Sequence, residues 1–134
     1  MSKSIKILLV EDDNDDVDLL QEALDDNEVS YDMDVIRDGG LVTEYIEKCT
    51  SYPDIVILDF NLPRIHGREL LKIIKNTPEF KHIPVFILTT SSAQKDKDFA
   101  YQEGADKYLI KPTTIQGINE VVSSIIGAIK KSDQ

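Results

Sequence analysis

The chain of 134 residues has no tryptophan, one cysteine and two histidines. A lone cysteine, Cys49, excludes an internal disulfide and fits a reducing compartment. It closes a helical stripe and reads as packing rather than chemistry. His66 and His82 have no cysteine or histidine partners at ligand spacing, which excludes a zinc-type cluster, and both read as surface residues. No apolar stretch is long enough to span a bilayer, and no signal-peptide core follows Met1, so a cytoplasmic location is expected. Positive charge is scarce, with 15 Lys and Arg against 25 Asp and Glu and a formal net charge of −10. Nucleic acid and anionic membranes repel such a surface, which leaves proteins and cations as partners. The length allows one domain with a sizeable core and not two, so residues 1–134 are expected to form a single domain.

What is present is an alternation. Aliphatic runs occur at Ile5–Val10, Met33–Ile36, Ile55–Leu58, Val85–Leu88 and Tyr108–Ile110. Four are continuous, as strands buried on both faces are. The second, "YDMDV", alternates, which suits an edge strand with one wet face. Helical stripes fill the gaps: Val17, Leu20, Ala23 and Leu24; then Leu41, Tyr45 and Ile46; then Leu70, Ile73 and Ile74. A weak fourth helix, about 93–103, offers mainly Phe99 and Ala100 and ends at Gly104. The last stripe runs Ile115, Ile118, Val122, Ile125, Ile126 and Ile129, with Thr113 and Gln116 at capping-box spacing before it. Strand and helix thus alternate five times. That order predicts an α/β domain with a parallel, doubly wound sheet and helices on both faces.

Ligands of such sheets bind outside the carboxyl ends of the strands. Glu11 and Asp12 follow the first strand, Asp59 the third, Thr89 the fourth and Lys111 the fifth. Arg37 and Asp38 follow the second with no matching chemistry. Three carboxylates brought to one rim repel one another unless a cation intervenes. Hard oxygen donors, few of them from protein, point to Mg²⁺. Lys111 then serves a carboxylate or an incoming phosphoryl oxygen, and Thr89 donates from its hydroxyl. The set suits phosphoryl transfer, with Asp59 as nucleophile forming an acyl phosphate.

Four segments, "LLVEDD", "ILDFNLPRIHG", "PVFILTTSS" and "GADKYLIKP", together resemble a response-regulator receiver domain of two-component signalling. The resemblance covers nearly the whole chain. It implies a flavodoxin-like (βα)5 fold with strand order 2-1-3-4-5. It also implies a phosphoacceptor at Asp59, and an acidic pair in which Asp12 ligates the metal directly and Glu11 through water. Asn61 would contribute a backbone carbonyl to the metal. Thr89, Tyr108 and Lys111 match the switch threonine, the switch aromatic and the essential lysine. Pro63 and Gly67 match loop positions, and the Lys111–Pro112 bond matches one that is cis in the family. Mg²⁺ is the implied cofactor, with Mn²⁺ able to substitute. The implied partners are a sensor histidine kinase, a histidine phosphotransfer protein or another protein target, and a second copy through the fourth and fifth helices. The run "LTTSS" and the lack of room for an output domain resemble stand-alone regulators paired with phytochrome-type kinases. Thr90 departs from the pattern, since a small residue usually follows the switch threonine.

Rival readings fare worse. A haloacid-dehalogenase-like phosphatase needs an acid two residues after its nucleophile, and Asn61 stands there. A flavin or nucleotide binder needs a phosphate-cradling loop after the first strand, where "EDDNDD" repels phosphate. A Ca²⁺ loop starting at Asp12 fails because Val17 and Ala23 replace its glycine and its glutamate. A receiver that is never phosphorylated is the remaining alternative, on account of Thr90. Within the acidic run, Asp13 reads as a helix N-cap, Asp15 and Asp16 as partners of the helix dipole, and Asp18 as solvated.

Overall fold

The computed structural model describes residues 4–62 and 65–132. Five strands form one parallel sheet in the order β2-β1-β3-β4-β5: β1 Ile5–Val10, β2 Tyr31–Ile36, β3 Ile55–Leu58, β4 Val85–Thr89 and β5 Lys107–Ile110. The helices are α1 Asn14–Asp26, α2 Val42–Lys48, α3 Gly67–Asn76, α4 Gln94–Gln102 and α5 Ile115–Ser132. The expected α/β, doubly wound, flavodoxin-like architecture is what the chain adopts.

The continuous aliphatic runs become the sheet centre because successive side chains enter opposite faces. On one face Leu8, Val10, Val56, Leu58, Val85 and Ile87 meet Leu70, Leu71, Ile74, Phe80 and Ala100. On the other Ile7, Leu9, Ile55, Ile57 and Phe86 meet Val17, Leu20, Leu24, Val122 and Ile125. Helices α1 and α5 therefore cover one face, and α2, α3 and α4 the other.

Four expectations are corrected. β5 lies at the edge, as the order 2-1-3-4-5 implies, but its run is not buried on both faces: only Tyr108 is buried, and a three-residue run is too short for periodicity to tell an edge from a centre. Leu41 is exposed and Val42 packs inward, because a 3₁₀ turn at Gly39–Leu41, capped by Asp38, rotates the entry to α2. In α3 Leu71, not Ile73, completes the buried stripe. α5 starts one residue later than the capping-box spacing placed it. Thr114, not Thr113, accepts the Gly117 N–H at 3.0 Å, and Gly117 has no side chain to close the box.

Two helices end in the same hydrogen-bonded motif with opposite residue chemistry. After α4, Gly104 takes φ +100°, with Gly104 N–H to Tyr101 O and Ala105 N–H to Ala100 O. After α1, Glu28 takes the left-handed position at φ +58°, with Glu28 N–H to Asp25 O and Val29 N–H to Leu24 O. Glycine suits this position and a Cβ does not. Glu28→Gly should therefore stabilise the fold by about 0.5–1 kcal/mol and Gly104→Ala should destabilise it by about 1–2 kcal/mol. Urea midpoints moving in opposite directions are the check.

Candidate phosphoacceptor site

The ladder hydrogen bonds continue one residue past β1, β3 and β5 and set the rim of the site. Glu11 N–H donates to Ile36 O, Asp59 N–H to Val10 O and Lys111 N–H to Thr89 O. These bonds bring the ends of β1, β3, β4 and β5 together, as the strand-end reading expects. One carboxylate oxygen from each of Glu11, Asp12 and Asp59 lies within 4.8 Å of the others. Glu11 is 3 % and Asp59 4 % exposed, while Asp12 faces solvent.

Lys111 anchors the cluster. Its Nζ donates to Glu11 Oε1 at 2.7 Å, Asp16 Oδ2 at 2.7 Å and Asp59 Oδ2 at 2.8 Å, which uses all three ammonium protons. Burial pulls its pKa down, but the three carboxylates outweigh burial and hold it above the ordinary lysine value. Burial raises Glu11 to about 7, assisted by the Asp59 charge and opposed by Lys111. The residue that the acidic-run reading misplaced is Asp16, assigned there to the helix dipole alone. With Asp13 as N-cap, Asp16 is the third residue of α1, and helical side chains lean toward the N-terminus. That lean carries it back over the rim to Lys111. Asp13 itself caps as expected, accepting from Asp15 N–H at 2.9 Å and Asp16 N–H at 3.4 Å.

The β3–α3 loop closes on the site. Asn61 N–H donates to Asp59 Oδ1 at 3.0 Å, and its Nδ2 reaches Thr89 Oγ1 at 3.4 Å and Thr90 Oγ1 at 3.2 Å. Its backbone carbonyl, the expected metal ligand, accepts no hydrogen bond among the described residues. Pro63 lies outside the described residues. Gly67 is required by contact: a Cβ there would stand 2.4 Å from Asp59 O and 2.5 Å from Phe60 Cα. His66 turns out to be the N-cap of α3, its Nδ1 accepting from Arg68 N–H at 3.1 Å. Nothing in the sequence marks a histidine for that role, since Ser, Thr, Asp and Asn are the usual caps.

Thr89 is fully buried, and its Oγ1 accepts from Asn61 and, at 3.4 Å, from Ser91 N–H. Tyr108 lies inward beside Phe60, with its hydroxyl donating to Ser91 O at 2.7 Å. Burial raises its pKa, so it stays a donor. The Lys111–Pro112 peptide is trans, not cis as the resemblance implied; trans is the isomer an X-Pro bond prefers, and Lys111 reaches its three partners from it.

Four carboxylates against one ammonium leave the rim with a formal charge of −3. Hard oxygens at this charge fit a divalent cation. The family model for the response regulator receiver domain matches residues 7–123. This chain is a member of the response regulator receiver domain family. It is 35% identical to response regulator Rcp1 of Synechocystis sp. over 124 residues, 89% of this chain and 84% of that protein. It is 34% identical to the probable methanogenesis regulatory protein FilR2 of Methanothrix harundinacea, over 89% of this chain and 79% of that one. The phosphorylated cyanobacterial phytochrome response regulator RcpA superposes with a TM-score of 0.83 at 35% identity, covering 92% of this chain and 91% of that chain. The Mn²⁺-bound form of Rcp1 superposes with a TM-score of 0.81 at 33% identity, covering 90% and 91%. The receiver thus belongs to phosphorylation-dependent two-component signalling, and its acidic cluster is of the divalent-metal kind.

Because Glu11 titrates near 7 in the fold and at 4.5 unperturbed, the folded receiver retains a proton between those values that the unfolded chain releases. Stability of the metal-free protein therefore falls as pH rises through that window. Glu11→Gln should flatten the fall and raise the urea midpoint at pH 8 in EDTA. A variant that loses stability as steeply as the parent would place the titration elsewhere. Gly67→Ala should displace the Asp59 loop and cost about 2 kcal/mol or more, read in the same assay.

Proposed function

We propose that Asp59 is the phosphoacceptor of this receiver and that a sensor histidine kinase is its donor. The observation that carries this is the Lys111 ammonium on Asp59 Oδ2, beside the Glu11–Asp12–Asp59 oxygen cluster. An Asp59 carboxylate oxygen attacks phosphorus, the P–N bond of the phosphohistidine breaks, and its electron pair returns to the imidazole. Lys111 is placed to turn from its carboxylates to a phosphoryl oxygen. Thr89 Oγ1 accepts from Asn61 Nδ2 and Ser91 N–H, so its own proton, which finds no acceptor among the described residues, is available to the phosphoryl group.

Glu11, Asp12, Asp59 and the Asn61 carbonyl would hold Mg²⁺, with Mn²⁺ able to substitute, as its presence in the Rcp1 structure supports. The ion supplies charge neutralisation at the developing phosphoryl oxygens. Asn61 cannot act as a general acid, so catalytic turnover of phosphomonoesters is not expected.

A cleft beside the rim supports an approach for the donor there. A cleft of about 240 Å³ between α1 and the β5–α5 loop is lined by Leu20, Pro112 and Ile118 and opens at Glu11, Asp16 and Lys111. Leu19, 52 % exposed, and Ile115, 80 % exposed, flank it. An apolar stripe on the helix bearing the donor histidine, or on a phosphotransfer protein, fits there. The output and self-association face is α4–β5–α5, where Tyr101 and Ile110 stand exposed. No helix among the described residues is long and apolar enough to cross a membrane.

Acetyl phosphate with Mg²⁺ should add one phosphoryl group, and Asp59→Asn should add none, by intact mass. Asp12→Asn should weaken Mg²⁺ binding by about 100-fold. Labelling of Asp59→Asn at the parent's stoichiometry would remove the assignment.

A further inference from the structure

The sequence motifs end at the strand rim, but the hydrogen bonds do not. Ser91, two residues past Thr89, is a three-way junction. Its N–H reaches Thr89 Oγ1 at 3.4 Å, its carbonyl accepts the Tyr108 hydroxyl at 2.7 Å, and its Oγ donates to Asp96 Oδ2 at 2.6 Å. The same Oγ also accepts from Ala93 N–H at 3.4 Å, at the start of α4. Asp96 is a buried carboxylate in the first turn of α4, and a buried charge must be paired. Its second oxygen takes the guanidinium of Arg68, in the first turn of α3. That guanidinium also lies 5.3 Å from the Phe99 ring centroid, and Arg68 Nε is buried with no hydrogen-bond partner among the described residues. Among the described residues, Asp96 and Phe99 hold that group.

We propose that Arg68 and Asp96 form a clamp on Ser91, and that both are positioning residues for the phosphoryl-accepting conformation. The proposal rests on the reading of Asp59 given above and deepens it by naming what regulates the site. The clamp joins the two helices that flank the phosphoacceptor loop: α3 begins at Gly67, packed on the Asp59 backbone, and α4 begins just after the Thr89 strand. With Ser91 fixed, its N–H occupies an acceptor lone pair of Thr89 and aims the hydroxyl proton away, toward the site. Its carbonyl at the same time gives the buried Tyr108 hydroxyl the partner it needs. One loop residue therefore couples the hydroxyl that serves the phosphoryl group to the aromatic on the output face. Breaking the clamp frees that residue, releases α4, and lets Tyr108 leave. By linkage, whatever favours Tyr108 inward and Thr89 oriented favours phosphoryl binding to the same extent.

The test uses 3-fluorotyrosine-labelled full-length protein. Tyr108 is assigned by Tyr108→Phe, and beryllofluoride with Mg²⁺ serves as the phosphoryl probe. In Asp96→Asn the Tyr108 ¹⁹F resonance should move toward its solvent-exposed position, and beryllofluoride should bind about tenfold more weakly. Ser91→Ala, which removes only the hydroxyl arm, should shift both readouts in the same direction. Lys72→Met, which alters another exposed α3 contact with Phe99, should shift neither. A Tyr108 resonance and a beryllofluoride affinity unchanged in both Asp96→Asn and Ser91→Ala would overturn the clamp. If the parent itself failed to bind beryllofluoride, the Asp59 reading would fall instead, and the ¹⁹F resonance alone would decide the clamp.

Discussion

The site depends on a single buried ammonium. Without Lys111, the carboxylates of Glu11, Asp16 and Asp59 would share a rim with their nearest cation removed, two of them out of water. Isolated charges in such a place are too costly to persist ionised. Lys111 makes the cluster tolerable in its resting form while leaving it net negative. That residual charge attracts a divalent cation and makes the lysine's partners exchangeable. In the proposed phosphorylation the arriving phosphoryl group would offer the ammonium a stronger acceptor, and a cation could take over its carboxylates. Stability of the resting state and readiness for phosphorylation thus come from one side chain.

The fold supplies this by topology. A parallel sheet points the carboxyl ends of β1, β3, β4 and β5 the same way, and its ladder extends one residue past β1, β3 and β5. Groups far apart in sequence, such as Glu11 and Lys111, then meet without any loop having to fold precisely. The buried aliphatic layers on both faces make that rim rigid. The weaker attachment is elsewhere. α4 buries only Asp96 and Ala100, so its hold on the domain is largely polar and reversible. A helix held by an ion pair and a serine hydroxyl can respond to a change at the rim, whereas one held by a wide apolar stripe cannot.

Most of the rim was legible in the sequence because it obeys two strong rules: continuous apolar runs are central strands, and ligands meet at their carboxyl ends. Glu11, Asp12, Asp59, Thr89 and Lys111 all come from those rules together with the receiver resemblance, and the structure brings them to one place. What escaped had weaker signals. Asp16 looked like one more dipole partner, because its reach to Lys111 depends on how a helical side chain leans over its own N-terminus. His66 as an N-cap follows from the loop conformation, not from residue preference. The exposed positions of β5 escaped its short apolar run, although the strand order implied by the resemblance already placed it at the edge. The trans Lys111–Pro112 bond shows the limit of inference by resemblance, since a motif transfers residue types more securely than backbone isomers.

Arg68 and Asp96 were invisible for a different reason. Each is an ordinary charged residue on a predicted amphipathic helix, and the usual expectation for such residues is solvent. The expectation fails only because α3 and α4 pack as neighbours on one face of the sheet, with Ser91 between them. This arrangement also explains why the fourth helical stripe looked so weak. An element whose anchor is a buried carboxylate has little apolar periodicity to show, so the weakness marks the position where polar contacts replace hydrophobic ones. In a domain built to change state, that is the element through which a local charge at Asp59 can be read at a distance. The faint sequence pattern of α4 and its polar attachment are two descriptions of the same physical fact.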